Sequence, residues 1–221
     1  MADGIEQQFA AWLRERLGQE VGIAVAPLDR LHPLFPEEQA HVESAVESRR
    51  VEFSVGRWCA RQALGELGIA PQAIPVGVRG APVWPDGACG SITHSSGSCA
   101  AVAARSTDFT GVGIDIVDLE EARLTFDSSP YAIATEPEVT AACSALAASR
   151  DDAHAIAILF GAKESAIKAM SAKVDRYVEF TEVAVRFDGA AFSAECQPFG
   201  THAEGWWAVR GGCGFTAAVM R

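Results

Sequence analysis

No stretch of this sequence stays apolar for the roughly 20 residues that a membrane-spanning helix needs, so a protein without a membrane segment is expected. The opening residues, Met1-Ala2-Asp3-Gly4-Ile5-Glu6, lack the basic and then apolar layout of an export signal, which points to a cytoplasmic location. Basic residues are scarce: 18 Lys and Arg against 29 Asp and Glu leave a formal net charge of −11. That balance argues against nucleic acid as a partner, since a phosphate backbone is held by a basic face. It leaves room for a local cationic pocket, because Arg49, Arg50, Arg57, Arg61 and Arg79 gather in the first half. The six cysteines form no C-x-x-C pair, and no histidine stands at zinc-finger spacing. They are expected as small buried or half-buried thiols without disulfides. No G-x-x-x-x-G-K-[ST] loop occurs, so the P-loop phosphate cradle is missing.

What the sequence does have is apolar material for a core, 49% of 221 residues. That length suits one large domain or two of roughly 100 residues each. Apolar spacing predicts a short helix over 4–17 and a strand over 21–26. Pro36-Glu37-Glu38 opens a long helical stretch running toward Gly68, with a break expected near Phe53-Ser54-Val55-Gly56. Residues 71–85 are rich in Pro and Gly and read as turns with short strands. The small apolar run 99–104 reads as a buried strand. Arg105-Ser106-Thr107-Asp108 is a polar break and the expected domain boundary. Beyond it, Gly111 to Asp118 reads as a strand with Val112, Ile114 and Ile116 on one face and Asp115 on the other. A helix follows over 136–147, then a second over 151–170, capped by Asp151 or Asp152. Residues 181–220 read as a β-meander, with Asp188-Gly189 as a hairpin turn.

Helix 151–170 carries an anomaly. Ile156, Leu159, Phe160, Ile167 and Met170 fall on one stripe, and Lys163 projects into the middle of it. A cation there is costly unless it meets an anion. Glu164 and Lys168 lie at the stripe's edge, one turn apart; an ordinary surface ion pair with Lys163 snorkelling outward fits the same spacing. Asp115 lies on a strand beside Gly113, where a ligand can approach closely. An Asp and a Glu with open coordination positions suit a hard ion such as Mg²⁺, held jointly with a substrate phosphate. Thr93-His94, with the arginines upstream, forms a third candidate group, although a histidine there also fits a plain hydrogen-bonded role.

These motifs in this order resemble one family. Gly113-Ile114-Asp115-Ile116, then Phe160-Gly161-Ala162-Lys163-Glu164-Ser165-Ala166-Ile167-Lys168, is similar to the paired signature of 4′-phosphopantetheinyl transferases. Gly80-x-Pro82-x-Trp84-Pro85, Gly90-Ser91-Ile92-Thr93-His94-Ser95 and Gly56-Arg57-x-Cys59-Ala60-Arg61 look like the enterobactin- and surfactin-type branch, whose members are long and pseudo-dimeric. The resemblance implies an α+β fold of two similar halves, 1–108 and 109–221, related by a pseudo-two-fold axis with the active site in the cleft between them. It implies transfer of the 4′-phosphopantetheine arm of coenzyme A, the co-substrate, to a serine of an acyl or peptidyl carrier protein, in a monomeric enzyme. Arg49, Arg57, Arg79, Thr93 and His94 would hold the coenzyme's phosphates, in the first half. Asp115 and Glu164 would bind Mg²⁺, with Mn²⁺ as an alternative. Glu164 would be the base, and Lys163 and Lys168 would stabilise pyrophosphate charge.

The sequence departs from the branch at one point. Many relatives carry a second acid two residues after the aspartate; here that residue is Val117, and the next acid is Asp118. The segment 119–137, with Leu124, Phe126, Tyr131 and Ile133, is a candidate carrier platform or an ordinary packed loop. Two rival functions fit the residues: a non-catalytic module binding coenzyme A or a carrier, and a different Mg²⁺-dependent phosphotransferase or hydrolase.

Overall fold

The computed structural model describes residues 4–77, 80–95, 97–126, 133–146, 152–174 and 176–221. It is α+β, with two sheets. The chain forms two compact units, residues 1–112 with Arg221, and residues 113–220.

In the first unit, helix α1 (Ile5–Leu17) precedes strand β1 (Val21–Pro27). A single turn, α2 (Pro36–Gln39), is followed by α3 (Glu47–Glu66) and then by strands β2 (Ala88–Ser95) and β3 (Ser98–Arg105). The sheet is antiparallel in the order β1-β3-β2. Central β3 is Ser-Cys-Ala-Ala-Val-Ala-Ala-Arg, buried up to Ala104, and its small side chains let helices lie close. Helix α3 buries Val55, Cys59, Ala60, Ala63 and Leu64 with Cys99, Ala101 and Ala103 of β3.

The expected helix break is displaced. The chain interrupts between α2 and α3, at residues 40–46, and α3 runs unbroken through Phe53-Ser54-Val55-Gly56. All four of those residues are buried. Their packing outweighs the cost of one helical glycine, about 1 kcal/mol. The segment 31–38 is tied to α3 by a buried ion pair. Arg61 Nη1 donates to both oxygens of Glu38, at 2.9 and 3.0 Å, and Nη2 to the Pro33 carbonyl. Glu38 also accepts from the amides of Ile74 and Phe35, so the buried carboxylate is fully engaged. Arg61 is therefore a structural arginine.

In the second unit, strand β4 (Gly111–Asp118), which starts at the end of the first, leads into α4 (Leu119–Phe126), α5 (Glu136–Ala145) and α6 (Asp152–Met170). Four strands follow: β5 (Val183–Asp188), β6 (Ala191–Cys196), β7 (Thr201–Arg210) and β8 (Cys213–Met220). The sheet order is β4-β8-β7-β6-β5. The meander is present as the alternation implies, and its last strand, β8, lies beside β4.

Helix α6 is buried around most of its circumference rather than along one stripe. Ala155, Ala162, Ala166 and Ala169 let sheet and helices approach on several sides, and Ile158 and Leu159 are fully buried. Asp152 is its first residue; Asp151 lies outside the described residues.

Candidate active site

The site in the second unit is built where β4 crosses α6. A β-carbon added to Gly113 would stand 1.8 Å from the Ser165 carbonyl oxygen and 2.7 Å from the Ala169 nitrogen. Only a residue without a side chain allows that crossing. The first unit uses the same device, since a β-carbon at Gly22 of β1 would stand 1.9 Å from the Ala63 carbonyl oxygen of α3. Thr216 of β8 strengthens the second crossing. Its fully buried hydroxyl donates to the Gly161 carbonyl at 2.8 Å and lies 3.5 Å from the Asp115 carbonyl.

Two residues beyond Gly113, on the same face, Asp115 meets the helix. Lys168 Nζ donates to Asp115 Oδ1 at 2.8 Å and to the Ile114 carbonyl at 3.3 Å, and lies 3.6 Å from Glu164 Oε2. Asp115, Glu164 and Lys168 thus come together, with Asp115 nearly buried and the other two side chains about a quarter exposed. Burial opposes the charge on Lys168, but Asp115 and Glu164 outweigh it and raise the ammonium above the ordinary lysine value. Burial, helped by the charge of Asp115 and opposed by Lys168, holds the Glu164 carboxyl above the ordinary range. Two carboxylates and a backbone carbonyl around one ammonium form an all-oxygen donor set, which suits a hard divalent cation. Among the described residues, no group of three or more His, Cys, Asp or Glu could hold a metal. An ion at this place would have Asp115 and Glu164 as its protein carboxylates, with further positions left to substrate oxygens.

Asp118 has another duty. Its Oδ1 accepts hydrogen bonds from the backbone of Glu120 and Glu121, 3.0 Å each, which makes it the N-cap of α4. Val117 is buried, with Cγ2 only 3.0 Å from where a Gly161 β-carbon would be. The face of β4 beyond Asp115 is thus closed by packing.

Lys163 lies on a different side of α6. Its side chain is fully buried, donating to Glu138 Oε2 at 2.7 Å and to the Phe180 carbonyl at 2.8 Å. Glu138 Oε1 accepts from the Val185 amide at 2.9 Å, so one carboxylate joins α5, α6 and β5. Burial lowers the Lys163 ammonium below its ordinary value, and Glu138 opposes the shift. The expectation that Lys163 turns to a pyrophosphate therefore needs correction. The anion that offsets its burial is Glu138, and both sit in the interior of this unit. Glu138 lies 25 residues from Lys163 in a separate helix, so no local spacing could have paired them. Lys163→Met should cost about 3 kcal/mol, because it leaves Glu138 buried without its cation. Adding Glu138→Gln, which keeps an acceptor for the Val185 amide, should recover part of that loss. Chemical denaturation of the single and double variants checks both expectations.

In the first unit, α3 and the edge strand β2 bring Arg49 and His94 to one carboxylate. Arg49 Nη1 donates to Glu52 Oε2 at 3.1 Å, and His94 Nε2 is 3.9 Å from the same oxygen. Glu52 was not singled out from the sequence, although its spacing of three from Arg49 on a helix is the signal that could have found it. Arg57 is buried about two turns beyond Arg49 along α3, donating through Nε to the Ile74 carbonyl at 2.7 Å and lying 4.3 Å from the centre of the Phe53 ring. Burial pushes its guanidinium down to about 10, against the charge of Glu38, so it stays cationic at neutral pH. Thr93 is buried, and alternation puts it on the opposite face of β2 from His94. Arg79 lies outside the described residues. Arg50 lines a separate groove of about 650 Å³ with Leu31, His32, Val42 and Ser54. In the 119–137 segment, Leu124 is 70% exposed while Leu119 and Ile133 are buried, and Tyr131 lies outside the described residues. The six cysteines are free, four of them buried.

Known proteins resemble the chain along both units. A family model described as 4′-phosphopantetheinyl transferase N-terminal domain matches residues 37–104, and one described as 4′-phosphopantetheinyl transferase superfamily matches residues 111–208. The chain is 42% identical over 171 residues to 4′-phosphopantetheinyl transferase Svp of Streptomyces mobaraensis, covering 76% of this chain and 68% of that protein. It is 34% identical over 210 residues to 4′-phosphopantetheinyl transferase PptT of Mycobacterium tuberculosis, covering 86% and 87%. Enterobactin synthase component D of Salmonella typhi is 33% identical over 134 residues, covering 60% and 53%.

Proposed function

This chain belongs to the 4′-phosphopantetheinyl transferase superfamily, and we propose that it moves the 4′-phosphopantetheine arm of coenzyme A onto a serine of an acyl or peptidyl carrier protein. The observation that carries the residue-level reading is the convergence of Asp115, Glu164 and Lys168 at the crossing of β4 and α6. In this reading, the carrier's serine oxygen forms a bond to the β-phosphorus of coenzyme A. The bond from that phosphorus to the bridging oxygen breaks, and adenosine 3′,5′-bisphosphate leaves with the electron pair. Glu164 takes the serine proton; a carboxyl held above the ordinary range is a better acceptor than a free carboxylate. Lys168 lies one helical turn from Glu164, placed to offset charge on the pyrophosphate oxygens. Asp115 and one oxygen of Glu164 would hold a divalent ion, Mg²⁺ or Mn²⁺, which when bound neutralises charge on the same phosphates. Lys163 supports the machinery indirectly, by fixing the rotation of α6 against Glu138.

In the first unit, Arg49 and His94 are the exposed groups suited to the 3′-phosphate of the coenzyme. Buried Arg57 adds positive charge behind them, and Arg79 and Thr93 complete the proposed set. The exposed Leu124 on α4 is a candidate contact for the carrier. A carrier is usually acidic, as this chain is, so docking would rest on local apolar and basic surface rather than on net charge.

Mass spectrometry tests the reading. An apo-carrier mixed with the protein, coenzyme A and Mg²⁺ should gain about 340 Da, the mass of the transferred arm. Binding without a mass gain would favour a non-catalytic module, and nucleotide turnover without a carrier would favour a different phosphotransferase.

A further inference from the structure

Glu52 occupies the place where a bound anion would be expected. Its carboxylate lies between Arg49 Nη1, at 3.1 Å, and His94 Nε2, at 3.9 Å. Arg49 and His94 reach outward, with side chains 55% and 44% exposed, while Glu52 is set deeper at 29%. A second cation is close: Arg57, five residues beyond Glu52 on the same helix, feels the charge of Arg49 as well as that of Glu38. The acid therefore offsets the charge of Arg49 at a point where two elements, α3 and β2, bring Arg49 and His94 together.

We propose that Glu52 is the internal counter-ion of this phosphate-binding group and sets its affinity for a phosphate monoester. The inference rests on the reading of Arg49 and His94 as groups for the 3′-phosphate of coenzyme A. In the unliganded chain, Glu52 holds Arg49 by a hydrogen bond beside His94 and offsets the guanidinium charge. An incoming 3′-phosphate takes over both partners and comes close to a carboxylate of like charge, which weakens its binding. The same repulsion acts on the product, adenosine 3′,5′-bisphosphate, which carries the identical phosphate and has to leave before the next turnover. Glu52 thus trades affinity for exchange at the phosphate that takes no part in the reaction. The effect is confined to that phosphate: a coenzyme lacking it meets neither the attraction of Arg49 nor the repulsion of Glu52.

Glu52→Gln separates charge from shape. The amide oxygen can still accept from Arg49, and only the negative charge is lost. Calorimetric titration with coenzyme A and with 3′-dephospho-coenzyme A reads the effect directly. The variant should bind coenzyme A on the order of tenfold tighter, as expected when a like charge a few ångströms away is removed from a half-solvated site. Its affinity for the dephospho form should not change. Inhibition by adenosine 3′,5′-bisphosphate should strengthen by a similar factor, and the KM for coenzyme A should fall. Weaker binding of coenzyme A by the variant would make Glu52 a brace for Arg49 and overturn the proposal. Equal changes for both coenzymes would overturn it as well, since the effect would then be structural. Arg49→Gln distinguishes failure of the underlying reading. If that variant leaves the ratio of the two affinities unchanged, the 3′-phosphate is held elsewhere and the assignment of Arg49 falls along with the role of Glu52.

Discussion

Glu164→Gln should lower the rate of carrier modification by about 10²- to 10⁴-fold, the range supplied by a positioned general base, and leave the fold intact. Glutamine has the same length and volume, so the packing of α6 is undisturbed. What disappears is the proton acceptor and one of the two negative charges around Lys168. Lys168 keeps its shorter bond to Asp115, at 2.8 Å, so the helix remains tied to β4. The lost contact with Glu164 is an i,i+4 pair at 3.6 Å. Pairs of that kind contribute only about 0.2–0.5 kcal/mol. Transfer would be followed by mass spectrometry of the carrier under saturating coenzyme A, with thermal unfolding measured alongside. A rate within a few-fold of the parent would remove Glu164 as the base. A large fall in the unfolding temperature would assign the residue to structure instead.

Gly113→Ala should cost about 4 kcal/mol or more of stability. The added carbon would lie 1.8 Å from the Ser165 carbonyl oxygen and 2.9 Å from its carbonyl carbon. Those atoms belong to a helix backbone and cannot rotate away as a side chain could. Either β4 or α6 must shift by more than an ångström, against a helix surface already filled by Ala162, Ala166 and Ala169. Against a typical stability of about 5–15 kcal/mol, that loss would leave the protein marginal. Any folded fraction would hold Asp115 farther from Glu164 and Lys168, and transfer should fall further than the folded fraction alone explains. Urea denaturation together with activity per folded molecule separates the two effects. A midpoint close to that of the parent would show that the crossing is looser than 1.8 Å implies.

The elements of the second unit were largely legible in the sequence because their signals are local. Asp188-Gly189 marks the β5–β6 turn, and alternation around Asp115 identifies the face of β4 that meets α6. The meeting of Asp115 with Glu164 and Lys168 was reached through ordered motifs, since no local rule links residues about 50 positions apart. The role of Lys163 was misread for the same reason. A buried lysine announces that it needs an anion, but periodicity cannot tell a ligand's phosphate from Glu138 on another helix. The helix break was misplaced because Gly56 signals weakness locally while its burial, together with Phe53 and Val55, supplies strength from a distance. Asp118 was ambiguous until the amides of Glu120 and Glu121 were seen to point at it.

The sheet order has a consequence in time. Strand β4 lies at the sheet edge, and its neighbour there is β8, about a hundred residues later in the chain. Thr216, which steadies both Gly161 and Asp115, is also on β8. A ribosome therefore delivers Asp115, Glu164 and Lys168 well before it delivers the strand that aligns them. Until residues 213–220 emerge, β4 lacks the sheet neighbour it has among the described strands, and closing so long a loop is a slow, non-local step. Catalytic competence in this chain should appear with the arrival of β8 rather than with completion of α6.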